Sequence, residues 1–400
     1  MNKIQAIFKI EIDKKRIYGL DIIRCFAILT VVLTHSFDLL PNSKENKFIN
    51  LLPFPDGVAV FFVLSGFLIG GILIKVLEKK EYSFNTLFNF WKRRWLRTLP
   101  NYYFVLLIII AVTYFVTGGF IQSNVFLYFI FCQNITGHHP PFFTEVWSLS
   151  AEEWFYLLVP MIIFSSIQVL RITPKKAVLL TIIAIIIFTI LFRFYRYQHI
   201  TVTSVETYGS MFRNTVATRL DNIMFGVLGA YIAYYFNQVW IKYKNQSLIA
   251  GITICLLTKY ISFLYFPTSA FYWCNLSFIF AELAILLCFP FFSQVKSGDG
   301  KVYKFVTYTS LIAYSMYLVH GALILHLIIA RIHFLQQSSF VMLLCRYTIF
   351  WITIYLVSIL QYKYFEKPIM SIRNKKVINT AANSVEAHEK QIKHISKSPV

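Results

Sequence analysis

Arg24 and His35 lie eleven positions apart in one apolar stretch, GLDIIRCFAILTVVLTHSFDLL, residues 19–40. At about 100° per residue, eleven steps return to within roughly 20° of the start, so a helix puts both side chains on one face. A rise of about 1.5 Å per residue separates them by roughly 16 Å along the axis. Neutral imidazole is basic enough near physiological pH to take a proton from a hydroxyl, so His35 is the first candidate for acid–base chemistry. Its bland alternative is a core histidine hydrogen-bonded to a neighbour. Arg24 either neutralises Asp21, one turn earlier, or faces a cavity and meets an anionic ligand.

Two further segments carry charge beside apolar runs. In FWKRRWLRTLPNYY, residues 90–103, Arg94 and Arg97 share a helical face between Trp91, Trp95 and the next apolar run. Such a stretch can be a cytoplasmic interface anchor. It can also be a phosphate site, because guanidinium groups bind phosphate oxygens bidentately, and a cytoplasmic cosubstrate such as acyl-coenzyme A would suit it. In EVWSLSAEEWFYLLVP, residues 145–160, Glu152 and Glu153 open a span and are expected at the depth of His35. Adjacent helical residues point about 100° apart, so one of the two is expected to share its cavity and orient the imidazole. The alternative is a carboxylate held by the helix dipole.

Arg219 and Asp221, in ATRLDNIMFGVLGAYIA, either neutralise each other or line the same polar cavity, and Gly226 and Gly229 fit close helix packing. In AYSMYLVHGALILH, His320 has Tyr314, Ser315 and Tyr317 beside it, and reads as a buried histidine or a substrate contact. His138 and His139 have no carboxylate or cysteine partner in the sequence nearby, and the six cysteines show no paired spacing, so neither a metal site nor a disulfide is expected.

The elements that must position these residues are membrane helices. The chain has 400 residues, 57% of them hydrophobic and only 14% charged, with a mean hydropathy of +0.61. Repeated runs of about twenty apolar residues make an all-α polytopic membrane bundle. A net charge of +20 would suggest nucleic acid in a soluble chain. Here the cations cluster in short loops between spans, as the positive-inside rule expects, and no nucleic-acid partner is assigned. Candidate spans are 17–40, 56–77, 99–117, 148–170, 176–197, 218–236, 247–266, 271–292, 308–330 and 339–362. The short apolar piece 122–135 would make eleven. Leaving it re-entrant or interfacial puts most of the 38 Lys and Arg on one side, with both termini cytoplasmic. The expected organisation is a cytoplasmic segment 1–16, a membrane domain 17–368 and a disordered cytoplasmic tail 369–400.

Taken in order, GLDIIRCFAILTVVLTHS, GVAVFFVLSGFLIGGIL, FWKRRWLRTLPNYY, WSLSAEEWFYLLVP, RLDNIMFGVLGA, AYSMYLVH and the closing FEKP resemble the acyltransferase-3 family of bacterial integral membrane acyltransferases. The resemblance covers about residues 17–368. It implies transfer of an acyl group, most often acetyl, from cytoplasmic acyl-coenzyme A to a hydroxyl of a glycan, lipid-linked sugar, peptidoglycan or small molecule. By position, Arg24 and His35 match the family's Arg/His pair, Arg94 and Arg97 its Arg-x-x-Arg motif, and Glu152 and Glu153 its acidic motif. The expected roles are then His35, Glu152 and Glu153 in catalysis, and Arg24, Arg94 and Arg97 on the acyl-CoA donor. Trp147, Ser148, Arg219, Asp221, Tyr317 and His320 are assigned to the substrate. Cys25 and Phe26 depart from the small residues common after the arginine, a change expected to alter packing. Some members add a C-terminal extracytoplasmic hydrolase-like domain; with a short tail here, a second transfer step would need a separate extracytoplasmic protein. The expected location is the cell inner (cytoplasmic) membrane, among membrane lipids. The competing class is a proton-coupled transporter or flippase, which also explains ionisable groups inside spans.

Overall fold

The computed structural model describes residues 16–40, 55–79, 82–119, 124–137, 140, 142–265, 269–332 and 339–371. The expected cytoplasmic segment 1–16 (apart from Arg16), the tail beyond Ser371, and His138 and His139 lie outside the described residues. Those described are nearly all helical and include no strand. Ten helices carry the fold: α1 Tyr18–Ser36, α2 Gly57–Leu77, α3 Phe84–Val116, α4 Trp147–Leu170 and α5 Pro174–His199. They are followed by α6 Leu220–Tyr235, α7 Lys244–Tyr265, α8 Ser277–Phe292, α9 Gly300–Val319 and α10 Phe340–Gln361. Wide π-helical turns continue α9 through His320–Ile328 and α10 through Tyr362–Glu366.

Eight helices among the described residues are long and apolar enough to cross a membrane, and α6 and α7 are not among them. With 16 residues, α6 spans about 24 Å, short of the roughly 30 Å of a bilayer core. Residues 124–137 form a four-residue helix, Phe126–Phe129, between turns. The third expected span, 99–117, is corrected at its start: α3 begins at Phe84 and runs for 33 residues. Pro100 sits inside α3, where the helix gives up one backbone bond. Arg94 and Arg97 therefore stand on one long helix that continues into the apolar run.

Relative directions follow from paired contacts. Arg24 meets Ser310 and His35 meets His320, so α1 and α9 run parallel. Gly66 lies against Ile223 and Gly70 against Val227, so α2 and α6 run parallel. Ser247 bonds the Leu287 carbonyl and Tyr272 the Thr258 carbonyl, so α7 and α8 run antiparallel. The outward surface is apolar, with Leu107, Phe115, Ile187, Leu191, Leu256 and Leu344 exposed, as a lipid-facing surface requires.

The α2–α6 contact is among the closest in the bundle. A Cβ added at Gly66 would lie 1.9 Å from the Ile223 carbonyl oxygen, and one at Gly226 would lie 2.1 Å from that of Val63. With no water to expel, membrane helices associate through such close packing. Gly226→Ala is expected to destabilise the bundle by about 1–3 kcal/mol through overpacking. Gly71→Ala, which would meet nothing within 4 Å, is expected to leave stability unchanged. Thermal unfolding of the two variants in detergent checks the contrast.

Candidate functional site

One face of α9 organises the centre of the molecule. Ser310, Tyr314, Tyr317 and His320 follow at steps of four, three and three, the spacing of a single helical stripe. Ser310 accepts from Arg24 at 3.3 Å and donates to Asp21 at 2.7 Å. Tyr314 donates to the Thr98 carbonyl at 2.9 Å. Tyr317 shares a hydroxyl contact with Ser148 at 2.6 Å and donates to the Glu145 carbonyl. His320 meets His35 at 2.8 Å. Along one helix, the stripe links the cation end of α1 to its histidine end.

Beside the lower part of this stripe is a cavity of about 990 Å³, including its open mouth. Its polar wall brings together Arg24, Arg94, Arg97, Glu152, Glu153 and Glu366, with Ser65, Thr98, Ser148 and the α9 residues Ser310, Tyr314 and Tyr317. The three expected donor-binding arginines and both expected acidic residues thus share one chamber, although Glu152 and Glu153 point apart on α4. Arg24 lines the cavity and lies 3.6 Å from Asp21, which also pairs with Arg16.

The carboxylates are engaged away from His35. Glu152 accepts from Arg94 at 3.1 Å, from Ser65 at 3.1 Å and from Tyr156 at 2.6 Å. Arg94 also donates to the Tyr156 hydroxyl at 2.5 Å and lies 4.0 Å over that ring. Glu153 accepts from Thr98 at 3.0 Å, and its buried Oε2 has no hydrogen-bond partner among the described residues. Both therefore stand at the level of Arg94, Thr98 and Tyr314, about two turns of α9 below His320. The expectation that one of them orients His35 is corrected: its ring partner among the described residues is His320. The expected depth of Glu152 and Glu153 came from their place at the start of α4 alone; the structure instead pairs them with Arg94 and Thr98 of α3. Glu366, in the FEKP motif, accepts from Ser315 at 2.7 Å and Asn101 at 3.1 Å.

Sequence reasoning passed over Glu145. Its carboxylate accepts from the Ala322 backbone N–H at 2.8 Å. A Cβ on Gly321 would lie 2.7 Å from that carboxyl group, so only glycine allows the approach. The π-helical widening after Val319 frees a backbone donor that an α-helix would use internally.

Arg219 and Asp221 neither pair with each other nor line this cavity. Asp221 takes a two-point bond from Arg193, at 2.9 and 2.5 Å, with both side chains essentially unexposed. Arg219 lies 3.9 Å from Glu282. Arg193, near the end of α5, was the missing partner; the signal was an arginine inside an apolar span opposite a carboxylate that opens the next one. Trp147 sits outside the cavity wall, between Arg213 at 5.1 Å and Arg219 at 5.7 Å from its ring. Asp56 caps α2 through the Val58 N–H and pairs with Arg213 at 2.9 Å. Burial works against its ionisation, but Arg213 and Arg219 outweigh it and hold the carboxyl at about 2. Among the described residues no three His, Cys, Asp or Glu are grouped to hold a metal ion.

The acyltransferase-3 family model, an acyltransferase domain, matches residues 17–363. The O-acetyltransferase OatA of Staphylococcus aureus is 28% identical over 165 residues, 36% of this chain and 24% of that protein. The peptidoglycan O-acetyltransferase OatA of Listeria monocytogenes is 30% identical over 163 residues, 37% of this chain and 24% of that protein. The chain spans about a quarter of the length of these relatives. No solved structure matches it at a significant level.

The Arg193–Asp221 pair generates a prediction that separates scaffold from site. Removing one partner strands a buried charge, so Arg193→Ala is expected to cost about 3–5 kcal/mol. Replacing both, with Arg193→Met and Asp221→Leu, is expected to restore most of that loss and to leave donor binding intact. Unfolding in detergent, alongside binding of acetyl-coenzyme A, measures both effects.

Proposed function

The chain belongs to the acyltransferase-3 family, and from that premise we propose that it is a membrane O-acyltransferase. It moves an acyl group, acetyl in this reading, from cytoplasmic acyl-coenzyme A to a hydroxyl of a cell-surface glycan, lipid-linked sugar or similar acceptor. The observation that carries the proposal is the chamber in which Arg24, Arg94 and Arg97 converge beside the α9 stripe that ends at His320 and His35. The relatives' names supply the support for acetyl transfer and for a glycan acceptor.

The topology proposed with it has ten crossings in the cell inner membrane with both termini cytoplasmic. Alternating directions support this: α1 and α9 run parallel, α2 and α6 run parallel, and α7 opposes α8. Parallel α1 and α9 require that α6 and α7 cross together or not at all. The parallel packing of α6 along α2 favours crossing, with the short α6 lying inside the bundle against α2.

Arg97 stands at the exposed part of the cavity wall and is the proposed anchor for the donor's phosphates. Arg94, already committed to Glu152 and Tyr156, acts by shaping the wall. The thioester end lies toward Ser148 and Tyr317. Ring centroids then step 5.8 Å to His320 and 4.9 Å further to His35. His35 takes the proton of the acceptor hydroxyl, and the oxygen attacks the thioester carbonyl. The carbon–sulfur bond breaks, and the thiolate of coenzyme A leaves and takes up a proton. A route through an acyl group held transiently on His35 balances in the same way. Arg219 and Asp221 fall to the scaffold in this reading, and Ser148, Tyr317 and His320 to the reaction path.

A transporter would consume no thioester. Purified protein with acetyl-coenzyme A and a membrane glycan acceptor is expected to release free thiol. His35→Ala lowers that rate by about a hundredfold or more. Arg97→Ala raises the KM for the donor by about tenfold, the worth of one charge-assisted contact. Undiminished turnover in a correctly folded His35→Ala variant would sink the assignment.

A further inference from the structure

We propose that His320 is a positioning residue that locks His35 in the tautomer carrying its proton on Nδ1, leaving Nε2 as the free base. This rests on the reading of His35 as proton acceptor given above, and deepens it by naming the atom.

The argument begins at the buried end. His320 Nδ1 lies 2.8 Å from the Tyr317 carbonyl oxygen and 3.2 Å from that of Met316. A carbonyl oxygen only accepts, so Nδ1 of His320 must carry hydrogen and donate. A neutral imidazole holds one ring proton, so Nε2 of His320 is then a bare lone pair. That lone pair faces Nδ1 of His35 at 2.8 Å. Two bare nitrogens at this distance would repel, so Nδ1 of His35 must be the donor. A second proton on His320 would resolve the contact otherwise, but it would place a charge at a site with no solvent exposure. The polarity of the whole chain therefore runs from the Tyr317 carbonyl, through His320, to His35.

The free end is equally constrained. His35 Nε2 makes no hydrogen bond among the described residues, and the side chain keeps partial exposure while His320 has none. When Nε2 takes a proton, His35 becomes a cation whose Nδ1–H already points at an acceptor. The imidazolium is stabilised where it forms, with no rearrangement. A carboxylate fills this place in hydrolase triads; here a neutral ring does, itself oriented by two backbone carbonyls. Its placement depends on the widened turn that begins at His320 and is held by Glu145 through the Ala322 N–H.

The test is nitrogen NMR of purified protein labelled at its histidine rings, at about pH 8, above the ordinary histidine range. Resonances of His35 are identified by their loss in His35→Gln. The expected result is one neutral tautomer with hydrogen on Nδ1. His320→Leu removes the acceptor and is expected to give the other tautomer or a mixture, and to lower kcat by about a hundredfold or more with the donor KM unchanged. His320→Gln, whose amide oxygen can reach the place of Nε2, is expected to restore the wild-type tautomer and bring activity to within about tenfold of wild type. Hydrogen on Nε2 of His35 in the wild type would overturn the proposal. So would an unchanged tautomer in His320→Leu. Should His320→Leu fail to fold, the wild-type and His320→Gln spectra decide. The expected spectra without any thioester turnover would keep the hydrogen-bond chain and reject the acyltransfer chemistry instead.

Discussion

Inside an apolar bundle a charged side chain has no water to turn to, and the Arg94–Glu152–Tyr156 contact is where that constraint shapes the rest of the molecule. An unpaired ion at such a site costs several kcal/mol. Arg94 is therefore bonded to a carboxylate and a phenol and stacked on the same phenol ring. Holding it there requires α3 to pass α4 at the level of Glu152, and α2 to bring Ser65 to the second oxygen. The cavity is what remains between these helices and α9. Its wall carries arginines and carboxylates in equal number among the described residues, so the count of cations alone does not place an anionic donor. Exposure does: Arg97 is the arginine of that wall that faces the mouth, which is where the phosphates of an entering donor would first meet a guanidinium.

Eight of the ten apolar segments were legible in the sequence as membrane-length helices because hydrophobic length is a strong, local signal. The common face of Arg24 and His35 was legible because helical geometry is rigid over eleven residues, and their contacts at opposite ends of the α9 stripe agree with it. Gly226 was readable as a close-packing position for the same reason, since a small residue in an apolar run has few other uses. What failed was everything that depended on pairing between distant segments. The depth of Glu152 was not legible because its place at the start of α4 says nothing of Ser65 and Arg94, the residues on other helices that hold it. Arg193 went unassigned as the partner of Asp221 because an arginine near the end of an apolar run reads equally well as one that snorkels, and its signal lies in the facing carboxylate of the next span. Glu145 was overlooked because its acceptor role exists only through a widened turn 176 residues later, at Gly321, a feature of backbone geometry without a sequence pattern.

The two buried charge systems divide the labour. Arg193–Asp221 and Arg219–Glu282 tie α5, α6 and α8 together, and several of their polar atoms make no hydrogen bond among the described residues: Arg219 Nε and Nη2, both polar atoms of the neighbouring Asn222 side chain, and both oxygens of Glu282. Such groups are tolerated where ordered water can reach them. The cavity system differs in kind. Its members lie on α1, α2, α3, α4, α9 and the turn after α10, so a shift of any one of these elements changes it. A site built from many helices is harder to assemble, but it can take up a long flexible ligand along its length.

The histidine pair follows from the same economy of partners. Placing a carboxylate against His35 would have introduced a second buried charge that needs its own compensation before any proton moves. A neutral His320 avoids that cost in the resting state, because each ring nitrogen meets partners of the right sense. The consequence is directional. Only the Nδ1–H form of His35 satisfies the contact, and a proton arriving at Nε2 meets a ring already aligned to spread the charge. Glu145, Gly321 and the widened turn then have a single physical purpose, which is to hold the His320 ring at the distance where that exchange of donor and acceptor is unambiguous.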